Sequence, residues 1–209
     1  MTYNELDDVS DTLLAVLPVF RLVWIPTLGL WMYGLDTIVW HKARINYKFI
    51  FEYDPKTALE YRSILLWAAM FLSVFSIFLF LDYNYTVNLF TIPGISQEVG
   101  LWLWPLLMVL LFSFVALYPF NFFWRASRLC WLFSSFQVFI SPFGKIRFRE
   151  FFVGDVYTSL VKTMFDLQYT ICYFFTGNFL TQENQTCNEI NDFLLPFISV
   201  APMYWRLSQ

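Results

Sequence analysis

Lysine and arginine are confined to alternate stretches of this chain. Of the thirteen, eleven lie outside apolar runs, at 41–63, at 124–150 and at Arg206, and none falls in the segments 1–20 (up to Phe20), 82–100 and 176–192. A chain that threads a bilayer several times keeps its excess of basic residues on the cytoplasmic side. The alternation therefore assigns a side to every connection and restricts the fold to membrane-spanning elements. The two basic connections are expected in the cytoplasm. The segments without basic residues hold Glu5, Asp7, Asp8, Asp11, Glu98, Glu183 and Glu189, and two of them carry N-x-[ST] sequons, at Asn84 and Asn184. Such sequons are modified only in the secretory lumen, so both asparagines are candidate glycosylation sites on the opposite face.

Composition agrees: 58% of residues are apolar and 14% charged, against roughly 25% charged in a soluble domain. A net charge of −3 gives no reason to expect nucleic acid as a partner. Crossing a hydrocarbon core of roughly 30 Å takes about 20 apolar residues in a helix. Runs at 22–40, 64–81, 101–123 and 153–175 meet that length, and a fifth at 193–205 falls short. The expected fold is an all-α polytopic bundle of four spans and a short fifth, with membrane lipid around it. The apolar stretch 129–143 has Arg125 and Arg128 before it and Lys145, Arg147 and Arg149 after it. Lying in the interface keeps both flanks cytoplasmic, so it is predicted as an interfacial or re-entrant helix. The first dozen residues are acidic and no cleavage site closes a short apolar core, so the first span reads as an uncleaved anchor. Residues 1–16 are then a lumenal tail and 17–209 one membrane unit. Cys130 and Cys172 lie in apolar runs and read as packing residues. Cys187 is lumenal, and is expected to be free or paired with another chain.

Ionisable groups inside a span cost several kcal/mol unless paired or hydrated, so they mark transport paths. The fourth run holds most of them. Asp155, Thr158, Ser159, Lys162 and Asp166 stand at offsets of three, four, seven and eleven from the first, which places them on one stripe of a straight helix. The opposite face carries Val156, Leu160, Met164, Leu167 and Ile171. Lys162 and Asp166 are also an i, i+4 pair able to neutralise itself. A structural polar seam explains the same residues, and Asp155 alone fits a helix cap. Arg21 and Asp36 stand near span ends and can snorkel to headgroups. No catalytic triad, phosphate-binding glycine loop or metal-ligand spacing occurs, so neither an enzyme nor a cofactor or metal is expected.

The tract 34–55, GLDTIVWHKARINYKFIFEYDP, resembles the opening motif of the EXS domain, in which a span ends in Trp before an Arg-Ile-Asn-Tyr stretch and an Ile-Phe-Glu turn. Ser141-Pro142-Phe143, FREFFVGDVYTSL at 148–160, Asp166-Leu167-Gln168-Tyr169 with Cys172-Tyr173, and Pro202 with Trp205-Arg206-Leu207 resemble later landmarks in the same order. The family includes eukaryotic phosphate exporters related to the xenotropic retrovirus receptor and a shorter Golgi type without an SPX domain. The resemblance implies export of inorganic phosphate from a Golgi or plasma membrane. Asp155, Thr158, Ser159 and Asp166 match positions on the family's pathway helix, while Gln168 replaces the second acid of its motif. The family's domain continues past the Trp-Arg-Leu landmark, with further arginines. A phosphate needs more positive charge than one lysine between two aspartates. Three expectations follow from that shortfall: a longer exporter of which this is the first half, a homo-oligomer, or a non-transporting adaptor that binds cytoplasmic partners through its basic loops.

Overall fold

The computed structural model describes residues 3–53, 58–87, 89, 95–121, 124–141, 147–177 and 185–209. Among the described residues there are eight helices and no strand, as the apolar runs require. They are α1 (Tyr3–Lys42), α2 (Tyr47–Ile50), α3 (Tyr61–Thr86), α4 (Gln97–Leu117), α5 (Arg125–Phe139), α6 (Phe148–Ser159), α7 (Val161–Phe175) and α8 (Gln185–Ser208). Three of them are long and apolar enough to cross a membrane: α1 over Leu13–Lys42, α3, and α4 over Val99–Leu117. At 1.5 Å per residue, α3 covers about 39 Å, more than the hydrocarbon thickness.

Helix α1 shows why its sequence sits in a bilayer. Val16, Val19, Phe20, Val23, Thr27 and Thr37 are buried, while Trp24, Leu28, Met32, Leu35 and Val39 are exposed. The exposed set recurs every three or four residues, so one face packs inward and an apolar face is left for lipid. Pro18 and Pro26 lie inside the helix, where each removes one ladder bond. The Thr27 hydroxyl donates to the Val23 carbonyl at 2.8 Å in the turn next to the second of these gaps, and such hydroxyl bonds accompany proline in membrane helices.

Aromatic contacts fix the register. Phe20 and Trp24 meet Phe75 at ring separations of 6.0 and 5.2 Å, and Gly34 lies against Leu65, so α1 and α3 are antiparallel. Phe71 with Phe112 and Tyr85 with Trp104 set α4 antiparallel to α3. The core cluster of Val16, Val19, Phe20, Val23, Phe75 and Met108 joins these three helices, and Phe174 of α7 packs on it. Both basic connections therefore reach the same end: Trp67 meets Trp124 at 5.5 Å, Phe51 meets Phe148 and Phe152, and Arg147 lies 3.6 Å from Glu52. We call this the basic end, and the other the far end.

Among the described glycines, the one packed most tightly is at the far end. A Cβ on Gly100 would stand 2.0 Å from Cδ1 of Tyr85, whose side chain is fully buried. Gly100→Ala is expected to cost about 1–3 kcal/mol through overpacking, read as a lower thermal midpoint in detergent. A midpoint equal to that of the unaltered chain would mean that α3 and α4 separate freely there.

The fourth apolar run is two helices, α6 and α7, meeting at Leu160 (φ −98°, ψ 16°). The Leu160 N–H is shared between the Val156 and Tyr157 carbonyls at 3.1 Å each, and the Thr158 hydroxyl donates to the Asp155 carbonyl at 2.6 Å in the turn before it. Helix α5, from 125 to 139, covers 129–139 of the expected interfacial stretch and stays at the basic end, while residues 142 and 143 lie outside the described residues, as do 122 and 123 at the end of the third run. Arg128 ties its start to the Val115 and Tyr118 carbonyls, and Phe139 packs edge-on against Trp205 at 4.4 Å. The short fifth run is part of α8, a helix of 24 residues.

The cysteine expectations are corrected. Cys172 and Cys187 form an intrachain disulfide across 15 residues, with Cα atoms 5.8 Å apart. Helix α7 stops at Phe175, so Cys172 is in its last turn rather than within a span, and the chain returns to bring α8 beside it. Cys187 therefore neither stays free nor pairs with another chain. Cys130 accepts a hydrogen bond from Nη1 of Arg149 at 3.2 Å, in a group where Arg149 also donates twice to the buried Glu150.

Candidate functional site

The buried face of α7 consists of Thr163, Asp166, Tyr169, Thr170, Cys172 and Tyr173, an unusually polar set for a helix inside an apolar bundle. Asp166 is 3% exposed and is held by Arg21 of α1. The guanidinium donates from Nε to Oδ2 at 2.6 Å and from Nη2 to Oδ1. This is the bidentate fork that suits a planar carboxylate. The neighbouring turns are tied as well: Thr170 donates to the Asp166 carbonyl at 2.6 Å, and the Tyr169 hydroxyl to the Ala15 carbonyl at 3.3 Å.

The expected self-neutralising pair of Lys162 and Asp166 is thus replaced by a pair between helices. A guanidinium offers two parallel donors in fixed geometry, whereas an ammonium is a well-hydrated point charge on a flexible stem. Lys162 is exposed. Arg21 was expected at a headgroup; it stands at the edge of the packed face of α1, its side chain 30% exposed, and its guanidinium reaches Asp166 instead. Asp36 is exposed.

Towards the basic end, Asp155 is exposed and lies 3.5 Å from Arg206 of α8. Arg206 also stacks on Phe151, its Cζ 3.8 Å from the ring centroid. Ser159 is exposed and Thr158 is half-buried with its hydroxyl committed to the backbone. The stripe therefore divides at Leu160. Asp155, Ser159 and Lys162 are accessible, Asp166 is enclosed, and each aspartate has an arginine from another helix. Thr163 Oγ1 and Gln168 Oε1 are buried without a hydrogen-bond partner among the described residues.

A further acid, Asp82 of α3, is 3% exposed. The heptad recurrence of buried positions, Ala68, Phe75 and Asp82, is the signal in the sequence that points it inward. Of the two sequons, Asn84 lies in the last turn of α3, its amide donating to the Phe80 carbonyl at 2.6 Å, with Thr86 buried. Asn184 lies outside the described residues.

The EXS family profile matches residues 16–209. The chain belongs to the EXS family. Among its EXS relatives, "SPX and EXS domain-containing protein 1" of Dictyostelium discoideum is 40% identical over 197 residues, covering 93% of this chain and 21% of the relative. "Phosphate transporter PHO1" of Arabidopsis thaliana is 34% identical over 210 residues, covering 99% of this chain and 26% of the relative. "Phosphate transporter PHO1-2" of Oryza sativa subsp. japonica is 31% identical over 194 residues. This EXS chain thus spans about a quarter or less of the length of these relatives.

Proposed function

We propose that this EXS chain forms part of a path that exports inorganic phosphate across a Golgi or plasma membrane. The observation that carries the reading is that both aspartates of the α6–α7 stripe are held by arginines from other helices, Arg206 at Asp155 and Arg21 at Asp166. A phosphate oxyanion presents the same acceptor geometry as a carboxylate, so it can replace each aspartate on its arginine in turn. Lys162, between the two pairs and without a partner among the described residues, bridges the gap as a cation for an anion in transit. Between transits Asp166 keeps Arg21 neutralised, which lowers the cost of holding that cation inside the bundle.

The names of the PHO1 relatives support phosphate as the anion. The orientation is supported by two independent features. The basic connections share one end, as a cytoplasmic face requires, and the disulfide lies at the other, as an oxidising lumenal compartment permits.

The test is phosphate efflux from proteoliposomes holding the chain alone and, in parallel, a full-length EXS exporter in which this chain replaces the matching segment. Lys162→Ala is expected to lower flux about tenfold, since a hydrogen bond to a charged group contributes about 1.5 kcal/mol. Equal flux in Lys162→Ala would remove that residue from the path. Absence of flux from both unaltered preparations would overturn transport and favour an adaptor role for the basic connections.

A further inference from the structure

We propose that Asp82 is a proton-binding site in the far half of the bundle, through which phosphate movement responds to pH on that side. The inference rests on the transport reading for its consequence, though not for the site itself. Asp82 is 3% exposed, and its Oδ1 has no hydrogen-bond partner among the described residues. A carboxylate enclosed in this way needs a countercharge, because an isolated buried charge is far more costly than a paired one.

The helices around Asp82 supply no such charge. On α1 the one basic group is Arg21, and both oxygens of Asp166 already occupy it. Helix α4 has no ionisable side chain between Val99 and Leu117. Helix α7 offers Asp166 and the phenols of Tyr169 and Tyr173, and Tyr173 is within electrostatic reach of Asp82. On α3 itself the nearest titratable groups are Tyr83 and Tyr85. The argument extends to the whole far half, because the sequence has no lysine, arginine or histidine from Ser63 to Trp124 or from Thr163 to Trp205. What remains is a cation that comes and goes, and a proton is the smallest.

Its position suits exchange with the far side. Asp82 is one turn before the end of α3 at Thr86, whose hydroxyl donates to the Asp82 carbonyl at 2.9 Å. It is one turn beyond Phe78, which packs on the apolar core. A proton from the far side thus has about 6 Å of helix to pass, while the core closes the route towards the basic end. Loading Asp82 with a proton removes a negative charge from the half of the bundle that has the fewest cations. Phosphate, an anion, then meets less repulsion there.

Infrared difference spectroscopy across a pH step, in H2O and D2O, reads the site directly on the intact chain. The expected result is a carbonyl band of a protonated carboxyl that is lost in Asp82→Asn and kept, shifted, in Asp82→Glu. No band, or the same band in Asp82→Asn, would overturn the proton site. Phosphate efflux against pH on the far side reads the coupling: the unaltered protein should respond and Asp82→Asn should be flat. A pH response unchanged in Asp82→Asn would overturn the coupling. Absence of phosphate flux from the unaltered protein would instead overturn the transport reading, and the infrared result would still decide the site.

Discussion

Asp166→Ala is expected to destabilise the chain by about 3–5 kcal/mol and to lower phosphate flux, because Arg21 without its aspartate keeps the anion that Asp166 would displace. Removing one member of an enclosed ion pair leaves the other uncompensated, and the penalty belongs to the stranded charge rather than to the lost bond. Here the carboxylate side chain is 4% exposed and the guanidinium 30%, so the carboxylate is the more fully enclosed partner. The cost of stranding Arg21 sits at the lower end of the range, because Arg21 keeps some route out, and stranding Asp166 through Arg21→Ala costs more. The double substitution Arg21→Leu with Asp166→Leu is the informative control. Two apolar side chains of similar volume can replace an enclosed pair at little loss of stability, so the double variant should recover most of the thermal midpoint. Flux should not return, because the cation that receives the anion is gone. Thermal unfolding in detergent and efflux from proteoliposomes separate the two roles. Full flux in the double variant would show the pair to be a structural seam. Single losses below about 1 kcal/mol would show it to be hydrated and loosely held.

The pair also shows what a sequence of this kind discloses. Three helices long enough to span, and the gathering of both basic connections at one end, follow directly from apolar run length and charge placement, because hydrocarbon thickness and the membrane's charge asymmetry act on each segment separately. Motif order was equally legible: the EXS landmarks from Trp40 to Trp205 depend on local residue identity. The partners of Asp155 and Asp166 were not. Helical phase shows which side chains share a face, but nothing in one helix says which neighbour it meets, and Arg21 is 145 residues from Asp166. The break at Leu160 was hidden for a related reason, since the apolar run is continuous through it and hydropathy carries no information on backbone geometry. Asp82 shares a segment with acids expected in a lumenal loop, and its heptad spacing from Ala68 and Phe75 points it inward only because α3 extends to Thr86.

Cys187→Ser is expected to cost about 3 kcal/mol, the second large effect. A bridge across about 15 residues restricts the unfolded chain by roughly that amount in the chain-entropy account. The bond joins the last turn of α7 to α8 beside Tyr169 and Tyr173. At the opposite end, Gln209 donates to the Glu150 carbonyl at 3.3 Å, Ser141 meets Ser208 at 2.6 Å, and Arg206 holds Asp155. Helix α8 is thus fastened at both ends to the elements that line the proposed path. Loss of the bridge releases only one fastening, so the variant should still fold, with a lower midpoint. Reductant should lower the midpoint of the unaltered chain to that of Cys187→Ser and leave the variant where it is. Thiol labelling under denaturing conditions gives an independent count: one of the three cysteines, Cys130, should react before reduction and all three after it. Three reactive thiols before reduction would mean that α7 and α8 meet at the far end without a covalent tie, and α8 would then depend on its basic-end contacts alone.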